Sequence, residues 1–226
     1  MLISFNWGLY IWAVNNGNTI ETSLGYYINP LITVVLGLCF FKEKLKLLQV
    51  IAFGFAFIGV TVLTIFSGRL PWISLCLALS FAVYGLLKKT VRLSALESLG
   101  AETLIAAPIG LMLLFTAFGS GQGFQFIGPQ GLTYITQLPY ITLFILLFCG
   151  VATSMPLFLF AKGAKILPLS TIGFIQFISP TMSFLTGLLI FRETFPVRNF
   201  IAFGFIWSAA ILYIVSLKLS SKTKEK

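Results

Sequence analysis

The 226-residue sequence contains no histidine and no aspartate, only three cysteines, and charged side chains at just 9% of its positions. Each shortage excludes a class of chemistry. Cys39, Cys76 and Cys149 stand singly inside apolar runs, so neither a disulfide framework nor a zinc cluster has the paired spacing it needs. An integral membrane enzyme, the main alternative from another class, would need a nucleophile with a base, or a metal. There is no imidazole to serve, no Gly-x-Ser-x-Gly turn, and only one carboxylate well inside an apolar run, with no acidic partner. No phosphate-binding loop is present either, so any energy source is an ion gradient or the solute's own gradient. The residues therefore predict a non-enzyme without cofactor or metal.

What fills the sequence instead is hydrocarbon. Hydrophobic residues make up 58% of the chain, with 24 phenylalanines among them, against about 45–50% apolar and about 25% charged in soluble domains. The formal charge of +9 would suit nucleic acid, but the basic residues lie in short segments between apolar runs and form no stripe along an amphipathic helix. Their placement points to membrane topology and away from nucleic acid.

Crossing about 30 Å of hydrocarbon takes roughly 20 apolar residues in a helix. Eight such spans are predicted: Leu2 to Val14 (short), Thr22 to Phe41, Leu45 to Phe66, Pro71 to Leu87, Leu96 to Phe118, Pro139 to Ala161, Pro168 to Phe191 and Val197 to Leu217. The fold class is an all-α polytopic membrane bundle. With eight crossings, one side takes Lys42, Lys44, Lys46, Lys88, Lys89, Arg92, Lys162, Lys165, Lys218, Lys222, Lys224 and Lys226, and the other only Arg69, Arg192 and Arg198. The positive-inside rule makes the first side cytoplasmic, with both termini inside. Residues 218–226 then form a solvated basic tail near anionic lipid. The first run is no secretory signal, because it lacks a basic start and a small-residue cleavage site and is interrupted by Asn6 and two tryptophans. The segment from Gly119 to Leu138 reads as an outer linker.

Sliding the chain on itself by 150 positions exposes an internal repeat. Tyr27-Ile28-Asn29-Pro30 falls on Phe177-Ile178-Ser179-Pro180, Gly37 on Gly187, Phe41-Lys42-Glu43 on Phe191-Arg192-Glu193, and Ile51-Ala52-Phe53-Gly54-Phe55 on the identical Ile201-Ala202-Phe203-Gly204-Phe205. The second span matches the seventh and the third the eighth. An offset of five crossings reverses direction, so the repeats are inverted, a device that gives secondary transporters two states of nearly equal energy. A complete five-plus-five arrangement would place two more helices and half of a third before Met1. The expected division is residues 1–66 as the carboxy-terminal part of a first repeat and 71–217 as a second.

The stretch Asn6-Trp7-Gly8-Leu9-Tyr10-Ile11-Trp12-Ala13-Val14-Asn15-Asn16, followed by Glu21-Thr22-Ser23-Leu24-Gly25-Tyr26-Tyr27-Ile28-Asn29-Pro30-Leu31, resembles the RarD-type permeases of the EamA family, in the drug and metabolite transporter superfamily. So do Leu77-Ala78-Leu79-Ser80-Phe81 with Tyr84-Gly85-Leu86, and Ser170-Thr171-Ile172-Gly173-Phe174 with Ser179-Pro180-Thr181. The resemblance covers essentially the whole chain. It implies ten helices in two EamA repeats, a bacterial inner-membrane location, and export of small metabolites or drugs; the family name refers to chloramphenicol sensitivity. This chain departs from the pattern in lacking the amino-terminal helices. A chain that transports nothing, or works only with another copy or an amino-terminal fragment, is the competing expectation, and it leaves a homo-oligomer open. Membrane lipid and a small-molecule solute are the expected partners.

Proline within a helix removes a backbone hydrogen bond and frees the carbonyl four residues back. Pro30 and Pro180 would do this at Tyr26 and Gln176, in matched helices near mid-membrane. Such groups are tolerated where they face protein or a wet cavity. Two readings follow: the helices bend around a solute site with Tyr26, Tyr27, Asn29, Gln176 and Ser179 as contacts, or they carry packing kinks with their amides bonding neighbouring helices. Asn6 and Tyr10, one turn apart on the first helix, are further cavity candidates, and Trp12 suits the interfacial belt. Glu43, Glu193 and Glu225 sit beside basic residues. Only Glu102 lies well within a span, about 9 Å past Leu96 at ~1.5 Å per residue. It is either a proton-coupling group or a carboxylate reaching the interface or pairing with Lys88, Lys89 or Arg92.

Overall fold

The computed structural model describes residues 1–67, 72–119, 140–190, 192 and 197–222, and every regular element among them is a helix. In chain order these are α1 Leu2–Asn15, α2 Thr19–Phe41, α3 Leu47–Ser67, α4 Trp72–Thr90, α5 Ala95–Gly119, α6 Tyr140–Ile166, α7 Leu169–Gln176, α8 Ile178–Leu189 and α9 Val197–Lys222. The proposed linker from Gly119 to Leu138, Glu193, Glu225 and the end of the basic tail lie outside the described residues, except for Gly119 itself.

Seven of the eight expected spans each correspond to one helix. The seventh is divided: α7 ends at Gln176, Phe177 intervenes, and α8 begins at Ile178. Among the described residues four helices are long and apolar enough by themselves to cross a membrane, within Glu21–Phe41, Leu47–Ile65, Trp72–Thr90 and Asn199–Leu219. The helix α1 has 14 residues, and the two pieces of the divided span have 8 and 12. At ~1.5 Å per residue none of these three covers the hydrocarbon alone.

The chain forms two compact units: residues 91–165 with Met1, and residues 2–90 with 166–226. This division groups helices by packing, and so differs from the expected repeat division, which groups them by sequence. In the smaller unit, α5 opens with a reciprocal capping box. The Ser94 backbone N–H donates to Glu97 Oε2 at 2.7 Å, and the Glu97 N–H donates to Ser94 Oγ at 3.2 Å, so two of the unpaired donors at the helix start are satisfied. Lys165 Nζ donates to Val91 O at 2.8 Å, tying the end of α6 to the segment before α5.

The larger unit holds the main apolar core. Leu24, Ile28, Leu31 and Val34 of α2 pack with Ala52, Ala56 and Val60 of α3, Ala78 of α4, Phe174 of α7, Phe177, and Ile206, Ala209 and Tyr213 of α9. Helices α3 and α9 lie against each other, as do α2 and α7, while α4 covers α2 and in turn receives α1. Lipid tails are as apolar as leucine, so close fit must supply the attraction that water supplies elsewhere. Gly59 shows how close: a Cβ there would stand 2.8 Å from Ala202 O and 2.9 Å from Ile206 Cγ1.

Some positions matched by the 150-residue offset meet or share a conformation in this unit. Phe55 and its mate Phe205 meet across the α3–α9 contact with ring centroids 5.8 Å apart. Lys42 and its mate Arg192 both take the left-handed conformation, at φ 52° and 53°, and among the described residues they are the only non-glycines with positive φ. At Lys42 this ends α2, with the cap N–H bonded to Gly37 O.

Candidate functional site

Two kinds of surface meet on α2. One side borders an apolar groove of about 620 Å³, lined by residues of α2 and α3 that include Ile28, Val35, Phe53 and Phe57, with Leu75 of α4. Thr61 and Thr64 also border it, but their hydroxyls donate to Phe57 O and Val60 O at 2.8 Å each. The groove is therefore chemically suited to hydrocarbon and not to a polar solute.

The other side carries the polar cluster. Asn29 is buried on α2, and its Nδ2 donates to Gln176 Oε1 at 3.0 Å. Thr33, one turn further along, places Oγ1 3.3 Å from the same oxygen and 2.9 Å from Asn29 O. Gln176 is the last residue of α7, so its position is fixed where the matched helix breaks. Its Nε2 is buried and has no hydrogen-bond partner among the described residues. A buried donor left unpaired costs about 1–3 kcal/mol. Around the cluster, Pro30 is fully buried, and a Cβ on Gly173 would lie 2.7 Å from Pro30 O and 2.7 Å from Val34 Cγ2. Tyr27 stands edge-on to Phe203, centroids 5.5 Å apart, with its hydroxyl 3.5 Å from Pro180 O.

The structure sorts the other candidates into separate places. Tyr10 and Tyr26 pair edge-to-face at 5.9 Å, with Tyr26 half exposed. Asn6 is buried between α1 and α4, where its Nδ2 donates to Leu77 O and Ser80 Oγ at 2.8 Å each. Those two bonds match the number of N–H groups on that nitrogen, so its amide donors serve helix packing. Ser179 is exposed on α8. Glu102 is partly exposed on α5, in the smaller unit. Trp12 and Trp72 are both about half exposed and their rings lie 6.2 Å apart.

Pro30 and Pro180 were expected to kink matched helices alike. The structure places them differently: α2 continues through Pro30, and Pro180 is the third residue of α8, just after the break. In a first helical turn proline's missing N–H has no intrahelical partner to lose.

Two positions that the structure brings into these contacts were not singled out from the sequence. Thr33 was available from helical spacing, four residues after Asn29. Glu43, read only as a loop carboxylate beside lysines, reaches the start of α7: Oε1 accepts from the Leu169 N–H at 2.7 Å and Oε2 from the Ser170 N–H at 2.9 Å. A carboxylate on two backbone donors at a helix N-terminus is stabilised by charge-assisted bonds and by the helix dipole. Lys88, counted from the sequence on the basic side of the membrane, is buried in α4, with Nζ 5.1 Å from the Tyr84 ring centroid. Lys89 Nζ donates to Leu167 O, just before α7.

The profile of the EamA-like transporter family matches residues 1–65. Over 217 residues the chain is 42% identical to an uncharacterized transporter of Bacillus subtilis, YojE, covering 96% of this chain and 68% of that one. It is 35% identical over 226 residues to Protein RarD of Escherichia coli, covering 100% and 73%. The chain belongs to the EamA-like transporter family. A more distant relative, 28% identical over 211 residues with 93% and 67% covered, is the Chloramphenicol-sensitive protein RarD of Pseudomonas aeruginosa. This EamA-family chain spans about two thirds to three quarters of the length of these relatives. No solved structure matches it. Its relatives and its apolar helices identify a multi-pass membrane protein of RarD type, in a family of transporters.

Proposed function

We propose that the chain belongs to a secondary transporter that exports small organic solutes across the bacterial inner membrane by alternating access. The observation that carries this reading is the pairing of matched helices. One of them, α2, is continuous and the other is broken at Phe177, and the amides of Asn29 and Gln176 join them at the break. A broken helix beside a polar cluster at the repeat interface is a common construction of solute sites in secondary transporters. In this reading residues 1–66 complete a first repeat, 71–217 form a second, and both termini and the basic tail are cytoplasmic. Glu43 then acts as a latch on the cytoplasmic end of the bundle, since its bonds to Leu169 and Ser170 join the two repeats there. Glu102 is assigned proton coupling.

The test is efflux from proteoliposomes loaded with chloramphenicol, the solute in the name of the Pseudomonas relative. Release faster than from protein-free liposomes, and accelerated by an opposing proton gradient, is expected. Unaccelerated release of this solute and of a wider metabolite panel sinks the reading and favours a subunit that needs another chain. Glu102→Gln should abolish the response to the proton gradient alone; an unchanged response removes Glu102 from the coupling.

A further inference from the structure

The amide cluster holds one atom with an unmet bond, and its identity constrains the solute. Gln176 Oε1 accepts from Asn29 Nδ2 at 3.0 Å and lies 3.3 Å from Thr33 Oγ1, whose single proton is shared with Asn29 O at 2.9 Å. Turning the Gln176 amide over by itself would set its N–H groups against Asn29 Nδ2, donor on donor, so with Asn29 as placed the nitrogen is the end without a partner among the described residues. It is buried, on the last residue before the break between α7 and α8. The apolar groove along α2 and α3 offers no comparable group, since both its hydroxyls are turned onto their own helix. Asn6 is likewise used up between α1 and α4.

We propose that Gln176 Nε2 is the recognition donor of the solute site, so that the solutes carried are those presenting a carbonyl or carboxylate oxygen to it. The proposal rests on the transporter reading above and adds to it a substrate class and a specificity residue. The donor is closed off in the present conformation, and it meets the solute when α8 and α7 move relative to α2 about Phe177. An acceptor-bearing solute then gains a bond that the empty site lacks, while a solute offering only donors faces an N–H and gains nothing. The same geometry makes the site selective by penalty as well as by attraction.

The experiment compares two probes that share a nitrophenyl-propanediol body: chloramphenicol, which carries an amide carbonyl, and its deacylated amine, which carries an ammonium in its place. Binding to the full chain in nanodiscs is measured for wild type, Gln176→Glu and Gln176→Met. Wild type is expected to prefer the acylated probe by about tenfold, the size of one added hydrogen bond. Gln176→Glu keeps an oxygen for Asn29 and Thr33 but replaces the donor with an acceptor, and it should reverse the preference toward the amine. Gln176→Met should erase the preference; its thermal unfolding in the same nanodiscs shows whether it has kept the fold, and the isosteric Glu variant decides the matter if it has not. Equal wild-type affinity for the two probes, or a Glu variant that keeps the wild-type preference, overturns the assignment of Gln176. If the proteoliposomes of the efflux test still move other solutes, only this assignment falls; if they move none, the transporter reading fails first.

Discussion

The two proline-bearing segments Tyr27-Ile28-Asn29-Pro30 and Phe177-Ile178-Ser179-Pro180 are matched position for position, yet one lies in an uninterrupted helix and the other at a break. The difference lies in what surrounds them. Helix α2 is held along its length by α4 on one side and α7 on another, and Pro30 is buried with Gly173 of α7 pressed close against its carbonyl. The Thr33 hydroxyl donates to Asn29 O, a local bond of the kind that steadies a helix at membrane depth. Around Pro180 the packing is one-sided. Ile178, Met182 and Leu189 are exposed, and α8 is anchored through Phe184, stacked on Phe203 at 3.9 Å. The Phe177 N–H turns to Phe174 O at 3.3 Å, a tighter turn than the α-helix makes. Equivalent residues thus lie within a continuous helix in one repeat and beside a one-residue break in the other.

The sharpest way to break this contrast is to disturb the close approach of α7 against α2 at Pro30. Gly173→Ala puts a methyl 2.7 Å from Pro30 O and Val34 Cγ2. It should destabilise the bundle by about 3 kcal/mol, because backbone and not a flexible side chain is in the way. Gly54→Ala and Gly204→Ala, whose added methyls meet nothing within 4 Å, should change stability by less than about 0.5 kcal/mol. Reversible unfolding in mixed micelles reports all three, and equal effects would remove close packing as the cause.

A smaller loss is expected at the start of α7. Glu43→Ala leaves the Leu169 and Ser170 N–H groups without their carboxylate and should cost about 1–2 kcal/mol. Hydrogen exchange at Leu169 and Ser170 should accelerate, while exchange in α3 stays as it was. Unchanged exchange at those two amides would mean that α7 is capped in some other way.

Asn29 and its mate Ser179 offer the next contrast. Asn29→Ala removes the Gln176 contact and should cost about 1 kcal/mol, whereas the exposed Ser179→Ala should stay within about 0.5 kcal/mol. Equal costs would indicate that Ser179 has a structural bond that Asn29 was thought to hold alone.

The least effect is expected from Pro180→Ala. Because Pro180 lies in the first turn of α8, restoring its N–H should change stability by less than about 0.5 kcal/mol and leave the break in place. Spin-label distances across Phe177 test this, and a lengthening to that of a continuous helix would show that Pro180 itself makes the break.

Much of the fold was legible because length and hydrophobicity are local properties. The expected span Pro71 to Leu87 is α4 Trp72–Thr90, and Val197 to Leu217 is the apolar part of α9. The site was legible only in part. Asn29 and Gln176 were singled out by proximity to matched prolines, and they do meet; Asn6 and Tyr10 were chosen for side-chain chemistry and a shared helix face, and Asn6 bonds α4 instead. Thr33 follows from Asn29 by one turn of helix. Glu43 could not be assigned from its neighbours, because its partners lie 126 and 127 residues away.

The sequence by itself determined that this is a multi-helix membrane protein with an internal repeat, of RarD type, since apolar runs, register and motif identity need no knowledge of contacts. Only the tertiary structure decided which proline helix stays whole, which amide donor is left unmet, and which carboxylate caps α7. Those outcomes depend on which side of each helix a neighbour covers, and a repeat that supplies the same residues twice does not supply the same neighbours twice.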